Sequence, residues 1–178
     1  MVPALPAWDS LIESTIISIG IVKNILENDN FKKIDNLSHH GTSRLNHSLR
    51  VSYFSYKLSK LLHLDKRKVA RAGLLHDFFL TNITDNKTKL VSVFKHSKEA
   101  VTNADNNFII SELEKDIIVS HMFPVMPFIL PKYAESWVVN IVDKTVAIYE
   151  FAENYGNTCA VKFRNALVIG ALFIGRFI

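Results

Sequence analysis

The chain has 178 residues, of which 48% are hydrophobic and 21% charged. That is enough for one domain with a substantial core and too apolar for disorder. Its net charge of +4 is too mild to imply nucleic acid, and it suits a small anionic substrate. Cys159 is the only cysteine, so an intrachain disulfide is excluded; the first residues lack a basic stretch followed by an apolar run, and a cytoplasmic location is expected.

Helical periodicity runs nearly throughout. No strand-like alternation persists, and no Asn-Gly or Asp-Gly hairpin signal occurs, so the expected fold is all-α, with residues 1–178 as a single domain. A first helix is expected from about Trp8 to Asn28, with Leu11, Ile12, Ile16, Ile19, Val22 and Leu26 at helical spacing. A second runs from about Arg44 to His63, where Leu45, Leu49, Phe54, Leu58, Leu61 and Leu62 recur mostly at intervals of three to five residues and imply the buried stripe. Asp65 can cap a third helix, with Leu64 and Val69 placed for a hydrophobic staple; it ends near His76-Asp77.

A polar loop from Thr81 to Lys89 follows, then helices over about Ser97–Asn107 and Glu112–Met122. Ser111 and Glu114 match a capping box at the start of the latter. Pro124, Pro127 and Pro131 prevent a continuous helix beyond it. A long apolar helix spans about Glu135 to Phe151, and its composition implies burial on several sides. Near the C-terminus, the apolar run from Ala166 through Gly170 to Ile174 is about nine residues, roughly half of a bilayer-spanning helix. It reads as a core or oligomer-interface helix, so membrane contact is not expected, while a homo-oligomer is compatible with it.

The polar residues on these apolar helices carry the functional signal. His76-Asp77 closes the run Val69-Ala-Arg-Ala-Gly-Leu-Leu-His-Asp-Phe-Phe. Burying an imidazole and a carboxylate is costly unless each has a partner, and a metal ion is a partner both can share. His47 shares a helix face with Val51 and Phe54, and Arg44 and Arg50 flank it at three residues on either side. His121 follows Ile117 by one turn, Asp143 lies inside the apolar helix, and His96 precedes Ser97, a candidate cap. Any one of these alone is more often a hydrogen-bonded core residue. Together, four of the seven histidines and two aspartates sit at helix ends or on apolar faces. His39, His40 and His63 do not share that placement, and His63 is expected to be solvent-exposed. The cluster Lys57, Lys60, Lys66, Arg67, Lys68, Arg71 reads as a solvated face.

His47 within Arg-Leu-Asn-His-Ser-Leu-Arg-Val, His76-Asp77 within Ala-Gly-Leu-Leu-His-Asp, and Asp143 within Ile-Val-Asp-Lys resemble the H…HD…D ligand set of the HD-domain superfamily of metal-dependent phosphohydrolases. The resemblance covers about residues 38–150, leaving N- and C-terminal helices to flank an HD core. The opening His-His-Gly-x-x-Arg-x-x-His-Ser is similar to a bacterial, uncharacterised branch. Phe78-Phe79-Leu80 after the HD pair, and the lack of Gly-Tyr-Pro, depart from the cyclic-dinucleotide phosphodiesterase branch.

The resemblance implies two divalent transition-metal ions. His47, His76, Asp77 and Asp143 would hold one, and Asp77, His96 and His121 the other, with Asp77 bridging. An N/O ligand set suits Fe, Mn, Co, Ni or Zn. The implied chemistry is hydrolysis of a phosphate ester or anhydride, of a nucleotide above all, by a metal-bound hydroxide. Arg44 matches the arginine that faces substrate in deoxynucleotide-hydrolysing relatives; Arg50 and Lys144 are further phosphate candidates. The alternative is a catalytically weak HD protein that binds a nucleotide or metal as a regulatory module.

Overall fold

Within the first expected helix, Gly20 takes a left-handed conformation (φ 68°) and residues 20–22 are not helical. The helical piece that follows ends just before the expected limit, Asn28. The Asn28 Oδ1 accepts hydrogen bonds from the backbone N–H groups of Asn30 (2.9 Å) and Phe31 (3.0 Å). A short helix α1 (Lys23–Leu26) therefore stops, and a second, α2 (Asp29–Lys32), starts under that cap; asparagine competes for backbone donors in this way. The computed structural model describes residues 20–39, 42–80 and 89–155. The part of the expected first helix before Gly20, nearly all of the polar loop from Thr81, Cys159 and the apolar run from Ala166 lie outside the described residues.

A 3-10 turn (Lys33–Asn36) and a two-residue antiparallel pair, β1 (Ser38–His39) with β2 (Thr42–Ser43), lead into the helical body. Helix α3 (Arg44–Leu61) begins at Ser43, whose Oγ accepts from the Asn46 N–H at 3.2 Å. It ends at Leu61, two residues before the expected limit, because His63 takes a left-handed conformation (φ 57°). The Leu64 N–H returns to the Ser59 carbonyl at 2.9 Å and the His63 N–H to Lys60 at 3.4 Å, which is the Schellman pattern. His63 is exposed, as expected.

The buried face of α3 differs from the expected one. Phe54, Leu61 and Leu62 are exposed, whereas Ser48, Ser52, Ser55 and Ser59 have no accessible surface. The reason lies in helix α4 (Lys66–Leu75), capped by Asp65 through the Lys68 N–H at 3.2 Å. A Cβ on Gly73 of α4 would meet the Ser52 Cα at 3.2 Å. Two backbones that close tolerate only small side chains between them, so serine occupies the face where leucine spacing pointed elsewhere.

Helix α5 (Lys89–Asn107) starts eight residues earlier than Ser97. Ser97 is therefore not a cap but a helix-interior residue, buried with its Oγ 3.8 Å from the Met126 sulfur. The β-branched residues in Leu90-Val-Ser-Val argue against helix only weakly, and propensity of that size is routinely overridden. Helix α6 (Glu112–Ser120) carries the expected capping box, with both reciprocal bonds between Ser111 and Glu114. Arg71 of α4 bonds Glu114 at 2.7 Å and the Ile109 carbonyl at 3.0 Å, tying α4 to the start of α6.

Helix α7 (Ala134–Tyr155) packs on α3, α4 and α6 through Val138, Val139, Val142 and Val146. Contrary to the expected burial on several sides, Ile141 and Ile148 on its other face are more than half exposed. The core also holds Phe31 and Phe78, edge to face at 5.3 Å. Burying one such ring contributes about 2–3 kcal/mol. Among the described residues, no helix is long and apolar enough to cross a membrane.

Candidate metal centre

All six expected ligands converge where α3, α4, α6 and α7 meet. His47 lies one turn into α3, His76 and His121 directly follow the last residues of α4 and α6, Asp77 comes next, and Asp143 sits mid-way along α7. Ligands at helix ends have their direction fixed by the helix and their reach by the turn that follows.

His47 is fully buried, with Nε2 3.0 Å from Asp143 Oδ1 and Nδ1 2.8 Å from Glu150 Oε2. His76, also fully buried, donates Nδ1–H to the Gly73 carbonyl at 2.8 Å. That bond fixes the ring and aims Nε2 at the two carboxylates, 3.5 Å from Asp143 Oδ1 and 3.7 Å from Asp77 Oδ2. His121 repeats the device, donating Nδ1–H to the Ile118 carbonyl at 2.7 Å and placing Nε2 3.6 Å from Asp77 Oδ1. His96 reaches in from α5, with Nε2 3.3 Å from His121 Nε2. Its ring stacks on Phe79 at 4.9 Å.

Two groups of three therefore have potential ligand atoms within 4.8 Å of one another: His47, His76 and Asp143, and His76, Asp77 and His121. His76 belongs to both. The donor set fits a divalent ion. Three imidazoles have the far nitrogen held by a backbone carbonyl or a carboxylate, the arrangement that orients metal-ligating histidines. The buried Nε2 of His76 has no hydrogen-bond partner, so a cation would satisfy an otherwise costly group.

The electrostatics agree. Burial alone would lower the His47 pKa, but its hydrogen bonds to Asp143 and Glu150 outweigh it and raise the value to about 10. Asp143, which burial would raise, is instead held well below the carboxylate range by His47 and His76. Burial, reinforced by the neighbouring His76 charge, drives His121 down to about 3, and burial also lowers His96. Proton-bound imidazoles beside carboxylates on one side and neutral imidazoles on the other are where a cation can replace protons or fill lone pairs.

Two of the expected phosphate ligands have other engagements, and Arg44 is enclosed. Arg44 Nη1 donates to the Phe79 carbonyl, and the guanidinium lies 3.6 Å from the Phe79 ring centroid. It remains beside the centre, within the field of Asp77, but is only 3% exposed. Arg50 is buried and pairs with Glu150 of α7 at 3.0 Å. Lys144 donates to the His121 carbonyl and to Asp143 Oδ2 at 3.2 Å. It thereby caps the end of α6, where a cation opposes the helix dipole.

Sequence reasoning passed over Glu150 and Asn140. Glu150 lies seven residues after Asp143, hence on the same face of α7, a spacing that was available. Asn140 Nδ2 reaches the His121 (2.8 Å) and Phe123 (2.7 Å) carbonyls and fixes the turn that carries His121. Only the packed structure brings those carbonyls to it.

No curated protein and no solved structure matches the chain. The HD domain family matches residues 44–148, more than half of the chain, and that span contains all six converging candidate residues. The chain thus belongs to the HD-domain superfamily of metal-dependent phosphohydrolases.

Proposed function

We propose that the protein hydrolyses a phosphate ester or anhydride of a nucleotide, with two divalent ions held by His47, His76, Asp77, His96, His121 and Asp143. The carrying observation is the pair of overlapping ligand groups, His47–His76–Asp143 and His76–Asp77–His121. Ions bound there supply an acidified water and a clamp for phosphate oxygens. The chain's own part is orientation. The Gly73 and Ile118 carbonyls aim His76 and His121, Lys144 and Asn140 hold the turn behind His121, and Phe79 is held against His96 by Arg44. Arg44 is the proposed phosphate contact, with its Nη1 engaged by the Phe79 carbonyl.

A screen of nucleoside mono-, di- and triphosphates and dinucleoside polyphosphates with Mn, Fe(II), Co or Ni tests the reading. Turnover by metal-loaded protein, with Arg44→Ala sparing metal content but weakening substrate, is the expected result. A second reading, a regulatory module that holds metal or nucleotide without turnover, draws on the enclosure of Arg44 under Phe79. Tight nucleotide binding with no turnover of any substrate by fully metallated protein decides for it.

A further inference from the structure

The carboxylate of Glu150, which is not among the six expected ligands, lies at hydrogen-bond distance from one of them, His47, and is 1% exposed. Burying a carboxylate is costly unless it is paired. Here Oε1 takes the Arg50 guanidinium at 3.0 Å and Oε2 takes His47 Nδ1 at 2.8 Å. His47 and Arg50 are three residues apart on α3, and Asp143 and Glu150 are seven apart on α7, so each pair shares a face and the two faces meet. His47 is thereby gripped at both ring nitrogens by carboxylates of one helix. His76 and His121 lean on backbone carbonyls instead.

We propose that Glu150, held by Arg50, is a positioning residue for one half of the centre. It fixes the His47 tautomer with Nε2 facing Asp143 and sets the affinity of the His47–His76–Asp143 group for a divalent ion, while leaving the His121 group untouched. His47 belongs to the first of these groups alone, so the two halves can be weakened separately. This rests on the dinuclear reading above.

Cobalt(II) titration of metal-stripped protein, followed by calorimetry and by the visible spectrum of the bound ion, provides the test. Glu150→Ala should weaken one class of Co(II) site by about 10–100-fold, the usual loss when an outer partner of a ligand is removed. The other class should keep its affinity, which also shows that the variant folds. Glu150→Gln keeps an acceptor for Nδ1–H, and Arg50 retains Glu153 at 3.9 Å, so its affinity should stay close to that of the unaltered protein. In His47→Ala protein, Glu150→Ala should change nothing further, since the partner it acts through is gone. Equal weakening of both classes, an effect that persists without His47, or a Gln variant as weak as Ala each overturns the positioning role. Loss of Co(II) in His47→Ala but not in Glu150→Ala overturns it alone; protein that takes up no Co(II) overturns the metal reading with it.

Discussion

At the scale of single residues, Asp77 carries the heaviest demand. His76 Nε2 and His121 Nε2 lie 3.7 and 3.6 Å from its two oxygens. Removing that carboxylate should injure both halves of the centre. Asp77→Ala is expected to lose phosphohydrolase activity and most bound metal while far-ultraviolet circular dichroism stays helical; retention of both ions would refute the bridging role. Protons report on the same residues in metal-free protein. His47, raised to about 10, contributes stability that is complete below its unfolded pKa near 6.5 and disappears as pH climbs toward about 10. His121, lowered to about 3, acts in the opposite sense: between about 6.5 and 3 the unfolded chain takes up a proton that the native imidazole refuses. Metal-stripped protein should therefore resist urea best near neutrality and weaken on both sides. A denaturation midpoint that does not move between pH 7 and 10 would contradict the His47 assignment.

At the scale of elements, the contact of α3 with α4 decides where His76 stands. The Ser48–Ser52–Ser55–Ser59 face and Gly73 let the backbones approach, and α4 delivers His76 at its end. Alanine at Gly73 gains about 1 kcal/mol of helix propensity. Its methyl meets the Ser52 Cα at 3.2 Å, and overpacking against backbone costs about 1–3 kcal/mol. Gly73→Ala should lose on the order of 1 kcal/mol net in urea unfolding, with metal affinity falling because His76 moves; a more stable variant with unchanged metal binding would show that the helices can part freely. This face also marks a limit of sequence reading. The Asp65 cap and the Ser111–Glu114 box depend on residues within one turn, and both were legible. Which stripe of α3 is buried depends on what lies opposite, so the leucine spacing misled. The early start of α5 was hidden for the same reason.

At the scale of the whole molecule, the order H…HD…H…H…D picked out six residues that the fold brings together, because each falls at a helix end or on a helical face that periodicity places. The sequence spacing puts Glu150 on the face of Asp143, but its contact with His47, the role of Asn140 and the engagements of Arg50 and Lys144 were not legible, because they arise where α7 crosses α3 and α6 and helical period carries no information on crossings. Since the centre draws on several helices, removing metal should be felt globally. An ion at about 100 times its Kd stabilises the native state by about 2.7 kcal/mol, which is about 5–10 °C in Tm for a chain of this size. Chelator treatment should lower Tm by about that amount per site and Mn or Co should restore it; equal Tm values in both states would argue against ions as structural partners.

His47 and Asp143 meet across 96 positions of sequence. A cation shared between them is in effect a removable cross-link. A covalent link closing a loop of about 100 residues takes about 4–5 kcal/mol of freedom from the denatured chain in the entropic account. An ion that binds only once both helices are docked would differ, withholding that help from the search for the fold and lending it to persistence afterwards. Metal supply would then govern how long a finished molecule lasts more than how quickly a new one is made.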